Sequence, residues 1–445
     1  MNDLTLPLSG LSSVGGKSVV ARFDGGMLSS NSGVLALAEV EKRLRVADRV
    51  ARCIDDPRRP DQIIHSLADM IGFRMKMIAA GYEDGNDANR LRCDPVFKMA
   101  QDALPSGRDL ASQSTMCRLE NLPGVRELVV MGRAMVDLYC ASFRQVPKRI
   151  VLDIDDTFDA VHGGQQLRLF NAHHDEYGFQ PIVVFDGDGR FVGAVLRPAK
   201  RPSGAEIRPH LRRLVRAIRS NWPNTRILIR ADSHYCSPQV IDWCRANDVD
   251  FILGVAPTTT LRKHVADLET STMARFEASK TNKVRRFKEF FDGAASWSRV
   301  ERIIARVEVG AQGADTRFIV TNLASGKAKA LYEDVYCRRG AAENHIKSWK
   351  THLAADRTSC TRATANQFRL FLHAGAYWLM WGLRAAMPKR SSFAVAQFDT
   401  LRLRLIKIAA RVVEMKTQIR LHLPTSCPDQ RILRIVLSRI PQLAT

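Results

Sequence analysis

The chain has no Cys-x-x-Cys pair, and its nine cysteines, at positions 53, 93, 117, 140, 236, 244, 337, 360 and 427, are odd in number. That removes the signal of a disulfide framework, and the thiols read as reduced, mostly small apolar fillers of a cytosolic protein. Apolar runs of membrane length are missing too. The most apolar stretch, Phe371 to Leu383, is too short to span a bilayer and contains His373, so it is read as a buried helix. The segment MNDLTLPLSG lacks the basic-then-apolar pattern of a secretion signal. There is no HxH or HExxH pair, no Gly-x-Ser-x-Gly elbow and no Rossmann glycine run. GLSSVGGKS, from Gly10 to Ser18, imitates a phosphate-binding loop, but its spacing is one residue too long and no strand precedes it. His173, His174 and Asp175 stand together without further ligands at zinc spacing.

Acidic residues are scarce, 46 against 67 lysines and arginines, which gives a net charge of +21 and a pI near 10.0. The excess is spread along the chain, so the favoured partner is a polyanion, with nucleic acid ahead of an anionic membrane. A basic structural protein would share this property, so charge names a partner and no reaction. With 445 residues, 45% of them hydrophobic, the chain can form two or three domains with real cores.

Some of the few carboxylates stand in telling places. RIVLDIDDT (Arg149 to Thr157) and TRILIRADSHY (Thr225 to Tyr235) are β-branched apolar runs ending on aspartates. Further on, Tyr336, Arg339, Glu343 and Lys350 follow the spacing Tyr-x2-Arg-x3-Glu-x6-Lys. On an α-helix these four side chains fall within a roughly 60° arc. Carboxylates on strand ends with a glutamate on a helix suit hard divalent cations acting on phosphodiesters, where paired ions about 3.5–4 Å apart serve attacking and leaving oxygens.

With these residues the chain resembles the DDE transposases of bacterial insertion sequences, in the branch with the Tyr-Arg-Glu-Lys signature. GYEDGNDANRLRCDP, LDIDDTFDAVHGGQ, RADSHY and LIKIAARVVE resemble group-one members of that family. The resemblance implies that Asp155, in the pattern DxT, Asp232 and Glu343 are catalytic and hold two Mg²⁺ or Mn²⁺ ions. Asp153 lies two residues earlier on the same strand face and is a rival first ligand, while Asp156 reads as a turn or cap residue. Arg339 and Lys350 are expected on phosphates flanking the scissile bond, Tyr336 on DNA by stacking or hydrogen bonding, and Lys347 as a further DNA contact.

The expected fold class is α/β, a ribonuclease-H-like, retroviral-integrase-like catalytic core with a β-rich insertion between α-helical N-terminal and C-terminal regions. Residues 1–147 form the DNA-end-binding module, with helices starting at Ser29 or Ser30, at Asp61, at Asp94-Pro95 and at Val125. Within it, the segment around Ser112, Gln113, Ser114, Thr115 and Arg118 is either a DNA-reading helix or a capped surface helix. Residues 148–269 hold strands at Arg149–Asp155 and LRLFNA, a hairpin PIVVFDGDGRFVGAVLRP, a helix with five arginines, and strands ending on Asp232 and in DFILGVA. Residues 270–325, including ARFEASK, form the insertion, 326–355 the glutamate helix and 356–445 basic helices. Trp297, in the insertion, either stacks on a displaced base or covers the insertion's own core.

The expected activity is binding of terminal inverted repeats, metal-dependent strand cleavage and joining to target DNA by transesterification, with no covalent intermediate and no ATP. The expected assembly is a homodimer in a synaptic complex on double-stranded DNA, in the cytoplasm and associated with the nucleoid. The alternatives are a nuclease of the same fold that does not join, and a catalytically silent DNA-binding derivative.

Overall fold

The computed structural model describes residues 7, 8 and 10–443, so most of MNDLTLPLSG and the last two residues of the expected C-terminal region lie outside it. Contacts divide the chain into two units. The first comprises the described residues up to Leu122 together with Gly375–Leu443, and the second Pro123–Ala374. The expected boundary at residue 147 followed chain order; by contacts, the preceding helix belongs to the second unit, and the C-terminal stretch groups with the N-terminal one.

In the first unit Val14 and Lys17 exchange backbone hydrogen bonds of 3.0 Å in both directions, across Gly15 and Gly16 with φ of 56° and 77°. The phosphate-loop imitation is therefore a tight turn made by two left-handed glycines. Strand β1 (Met27–Ser29) precedes helix α1 (Val34–Leu44), so Ser29 is a paired strand residue and the helix starts after Gly33 rather than at a serine cap. Helix α2 (Leu67–Ala79) is almost wholly buried and begins with a Ser66–Asp69 capping box. Its Arg74 donates to Glu120 at 2.9 Å and to the carbonyls of Tyr82 and Glu83 at 3.3 and 2.7 Å, which fixes the loop GYEDGND. Asp94 caps the following short helix through the amides of Val96 and Phe97, as its Asp-Pro start predicts. Helix α3 (Gln113–Glu120) turns Met116, Leu119 and Glu120 inward.

The second unit opens with helix α4 (Val125–Ala141). Its sheet comprises β2 (Arg149–Asp156), β3 (Ile182–Asp186), β4 (Phe191–Val195), β5 (Arg226–Ala231), β6 (Asp250–Val255), β7 (Lys283–Asp292), β8 (Glu301–Gly310) and β9 (Gly313–Thr321), in the order β7-β8-β9-β6-β5-β2-β3-β4. The sheet is mixed. β2 pairs in parallel with β5, and β5 with β6, while the other neighbours are antiparallel. Helices α5 (Gly204–Asn221) and α6 (Pro238–Ala246) connect its middle strands, and α7 (Thr259–Glu277) follows β6.

Two expectations are corrected in this unit. LRLFNA gives a strand at Leu169–Asn171, but it pairs with Glu176–Phe179 in a small separate sheet, its leucine and phenylalanine exposed. ARFEASK is largely the end of α7, whose Thr258 cap and unbroken backbone ladder outweigh the apolar-polar alternation. Most of the remaining 270–325 stretch is β-strand, and β9 pairs with β6 from Phe318↔Val255 to Thr321↔Ile252, so β7–β9 extend the central sheet and satisfy an edge that would otherwise be unpaired.

The glutamate segment is helical but irregular. A π-turn over Leu331–Tyr336 and a 3-10 turn over Cys337–Arg339 lead into α8 (Gly340–Lys347), and a second π-turn covers Ser348–His352. Helix α9 (Ala363–Ala385) includes the expected buried run around Tyr377, Trp378 and Leu379, and the division between the units falls within it. No helix among the described residues is long and apolar enough to cross a membrane. Past α9 the expected all-helical C-terminal stretch instead contains the hairpin β10 (Ala410–Glu414) and β11 (Ile419–His422), because β10 pairs with β1.

Candidate active site

Strand β2 carries Asp153, Asp155 and Asp156 at the middle of the sheet, and β5 runs beside it in parallel, with Arg230 in register with Asp153. Parallel pairing brings the ends of both strands to one edge of the sheet, where Asp155 and Asp232 emerge. Asp232 is held there as the cap of a 3-10 turn, its Oδ1 accepting from the His234 amide at 2.8 Å.

Helix α8 is set by packing on the β3–β4 hairpin. A Cβ on Gly189 would lie 2.4 Å from the His345 ring, and Gly189 has φ 79°, so the turn needs glycine on two counts. Trp349 is buried against Phe191 at 5.9 Å between ring centroids. The segment ahead of α8 is pinned by Arg230 Nη1, which donates to the Val335 carbonyl at 2.6 Å.

These supports bring the Arg339 guanidinium among three carboxylates. Its Nη2 lies 3.4 Å from Asp155 Oδ2 and 3.9 Å from Asp232 Oδ2, and its Nη1 lies 3.9 Å from Glu343 Oε1. Asp155 and Arg339 are largely covered, whereas the Glu343 side chain is 73% exposed. Burial pushes the Asp155 carboxyl up to about 6; Arg339 pulls it down and the Asp232 charge pushes it further up. The structure thus brings Asp155, Asp232 and Glu343 together around one cation.

The expected rival, Asp153, is differently engaged. Its side chain is 1% exposed, and both oxygens accept from Arg230, at 2.6 and 2.7 Å. This buried bidentate pair orients both oxygens toward Arg230. Asp156 is no free turn residue either. It accepts from the Tyr235 hydroxyl at 3.1 Å and from the Gln180 amide, tying β2 to the turn after Asp232.

Lys350 also points into the protein. Its ammonium lies 3.2 Å from Thr157 Oγ1, donates to the Phe158 carbonyl, and is 3.5 Å from Asp159, a fully buried carboxylate that desolvation pushes up to about 8. Tyr336 is partly buried, its ring 5.7 Å from Tyr332, against the cluster of Leu228, Ile252, Ile304, Ile319 and Leu331. Of the other expected DNA contacts in this unit, Lys347 is exposed and Trp297 is half-buried in the β7–β8 turn, outside that cluster. In the first unit, Arg118 is exposed and bonded to Thr115 at 3.2 Å, and the Gln113 amide donates to Asn89.

Arg230, Tyr235, Gln180 and Asp159 were missed by sequence reasoning. Arg230 had a signal, since a charge inside the apolar run RILIRA requires a buried partner. The other three had none, because their partners lie far along the chain.

Among the described residues no three carboxylate, imidazole or thiol groups already converge to metal-holding distance. The donor chemistry nevertheless fits a hard divalent cation, since carboxylate oxygens from three elements face a centre where a positive charge already sits.

The chain matches the family model of the transposase DDE domain, group 1, over residues 11–445. No curated protein matches it. Among solved structures it is similar to the cryo-EM structure of the piggyBac transposase synaptic complex with hairpin DNA, at 11% identity over 92% of this chain and 85% of that one, with a TM-score of 0.42.

Proposed function

The chain belongs to the transposase DDE domain family, group 1, and from that membership we propose that it is an insertion-sequence transposase that binds inverted-repeat ends, cuts them and joins them to target DNA. The observation that carries this reading is the Arg339 guanidinium ringed by Asp155, Asp232 and Glu343. In this reading the three carboxylates hold two Mg²⁺ or Mn²⁺ ions. When bound, the ions supply activation of the attacking oxygen and stabilisation of the leaving one.

The chain's own groups do the rest. Asp155 and Asp232 are held on adjacent strand ends, so their separation is set by the sheet, while Glu343 approaches on an exposed helix face and closes the site once substrate is present. Arg339 turns from the carboxylates to a phosphate flanking the scissile bond, with Lys347 on the neighbouring backbone. Lys350 holds the Thr157 hydroxyl and the Phe158 carbonyl just past β2, and Tyr336 packs on Tyr332 ahead of Arg339. Gln113 and Arg118 contribute to reading the end, and Trp297 stacks on an unpaired base. The working assembly is a homodimer bridging two ends, acting in the cytoplasm on nucleoid DNA.

The test is to separate binding from chemistry. Asp155→Asn, Asp232→Asn and Glu343→Gln are each expected to shift end-containing duplex in a gel and to show no strand cleavage in Mg²⁺. Normal cleavage by Glu343→Gln would overturn the assignment of the third carboxylate.

A further inference from the structure

Helix α5 has two unlike faces. Ile207, Leu211, Val215, Ala217 and Ile218 are buried, while Arg208, Arg212 and Arg216 are exposed and Arg219 half-exposed. At about 100° per residue these four arginines occupy an arc of roughly 80°, and Arg208 and Arg219 lie about 16 Å apart along the axis. The helix has one acidic residue, Glu206, and it is taken by Arg197 and Lys200.

Elsewhere in this unit arginines are mostly committed: Arg190 to Asp186, Arg230 to Asp153, Arg245 to Glu301 and Arg302 to Glu289. Among the described residues, the side chains of Arg208, Arg212 and Arg216 make no ion pair or hydrogen bond, and Arg219 spends one nitrogen on the Asp248 carbonyl at 2.9 Å. Like charges left uncompensated at i, i+4 spacing destabilise a helix by a few tenths of a kcal/mol per pair. A fold that pairs most of its other arginines therefore tolerates repulsion here.

The helix is also placed next to the chemistry. Just before it, Arg201 donates to the Ser233 carbonyl at 3.2 Å, and a Cβ on Gly204 would collide with Ser237 and Gln239. The start of α5 thus lies against the turn that follows Asp232, and the arginine row leads away from that end.

We infer that this row is a track for the phosphate backbone of duplex DNA extending beyond the scissile position, contacted without regard to sequence. The inference rests on the transposase reading and adds a surface to it. Planar guanidiniums at about 6 Å intervals suit successive backbone phosphates, to which each can donate two hydrogen bonds.

The experiment uses the full-length chain and a labelled random-sequence duplex, followed by fluorescence anisotropy across 50–200 mM salt. R208A/R212A/R216A, with an unchanged melting temperature, is expected to bind on the order of 10²-fold more weakly at 0.1 M salt, with the log–log salt slope reduced by about 0.9 per lost contact. R208K/R212K/R216K is expected to retain the slope, which separates charge from fold. An alanine variant with wild-type affinity and slope, beside a wild-type chain that still cuts end DNA, would overturn the track alone and leave a merely solvated face. Absence of salt-dependent duplex binding by the wild type would overturn the transposase reading with it.

Discussion

Asp153 and Asp155 stand two residues apart on β2, each beside an arginine from another element, and they end in opposite conditions. Asp153 and Arg230 are registered neighbours on paired strands, both buried, with two hydrogen bonds of 2.6 and 2.7 Å. Asp155 and Arg339 approach only to 3.4 Å, and Arg339 is shared with Asp232 and Glu343. The first pair closes on itself and joins β2 to β5 and, through Val335, to the segment before α8. The second is left incomplete, so its charges remain open to a metal ion and a phosphate. The proposed function places chemistry where the electrostatics are unfinished, with a geometry inherited from the neighbouring pair where they are complete.

The largest expected effect breaks the closed pair. Asp153→Asn leaves Arg230 buried without its counter-charge and should lower stability by about 3–5 kcal/mol, read by urea denaturation. Asp153→Asn therefore tests folding rather than ligation, and wild-type stability would erase the contrast. Next, a divalent ion should act on the open site alone. Mg²⁺ at a hundred times its dissociation constant should add about 2.7 kcal/mol to the wild type and nothing comparable to Asp155→Asn.

A pH series in metal-free buffer sharpens the point. Burial raises the Asp155 carboxyl to about 6 in the folded chain, above its ordinary value of 3.8, so folding favours the neutral form. The stability tied to this group is fully present below about pH 4 and lost as pH rises through 6. Asp155→Asn should accordingly be more stable than wild type by about 1–3 kcal/mol at pH 8, with the gap closing below pH 4. The smallest effect is at Glu343, whose side chain is 73% exposed. Glu343→Gln should stay within about 0.5 kcal/mol of wild type while cleavage disappears.

The sheet's parallel heart was legible because β2, β5 and β6 are near-continuous apolar runs, the pattern of strands covered on both faces. The three carboxylates were legible because two of them end such runs and the third stands at fixed spacing from Tyr336, Arg339 and Lys350. What the residues hid was pairing. LRLFNA has strand composition, but nothing in it says that Tyr177 rather than the main sheet is opposite Phe170. TLRLRLIKIAARVVE has Leu401, Leu405 and Ile408 at helical spacing, yet Ala410 to Val412 pair with Ser29 to Met27, a partner no local pattern reveals. The same holds for Lys350, which on a regular helix shares the Glu343 face and turns instead to Phe158 and Asp159, where π-turns at both ends of the segment alter the phase.

The β1–β10 ladder bears on how the chain comes off the ribosome. Ser29 emerges early and must wait for Ala410, which at about 5–20 residues per second means tens of seconds. During that interval the first unit is without its closing hairpin, and the second unit, contiguous in sequence, can finish first. A chain cut short between the end of the second unit at Ala374 and β10 would therefore carry Asp155, Asp232 and Glu343 but an unfinished partner unit. In this arrangement the unit assembled from both ends of the chain cannot close until synthesis has passed all three candidate carboxylates.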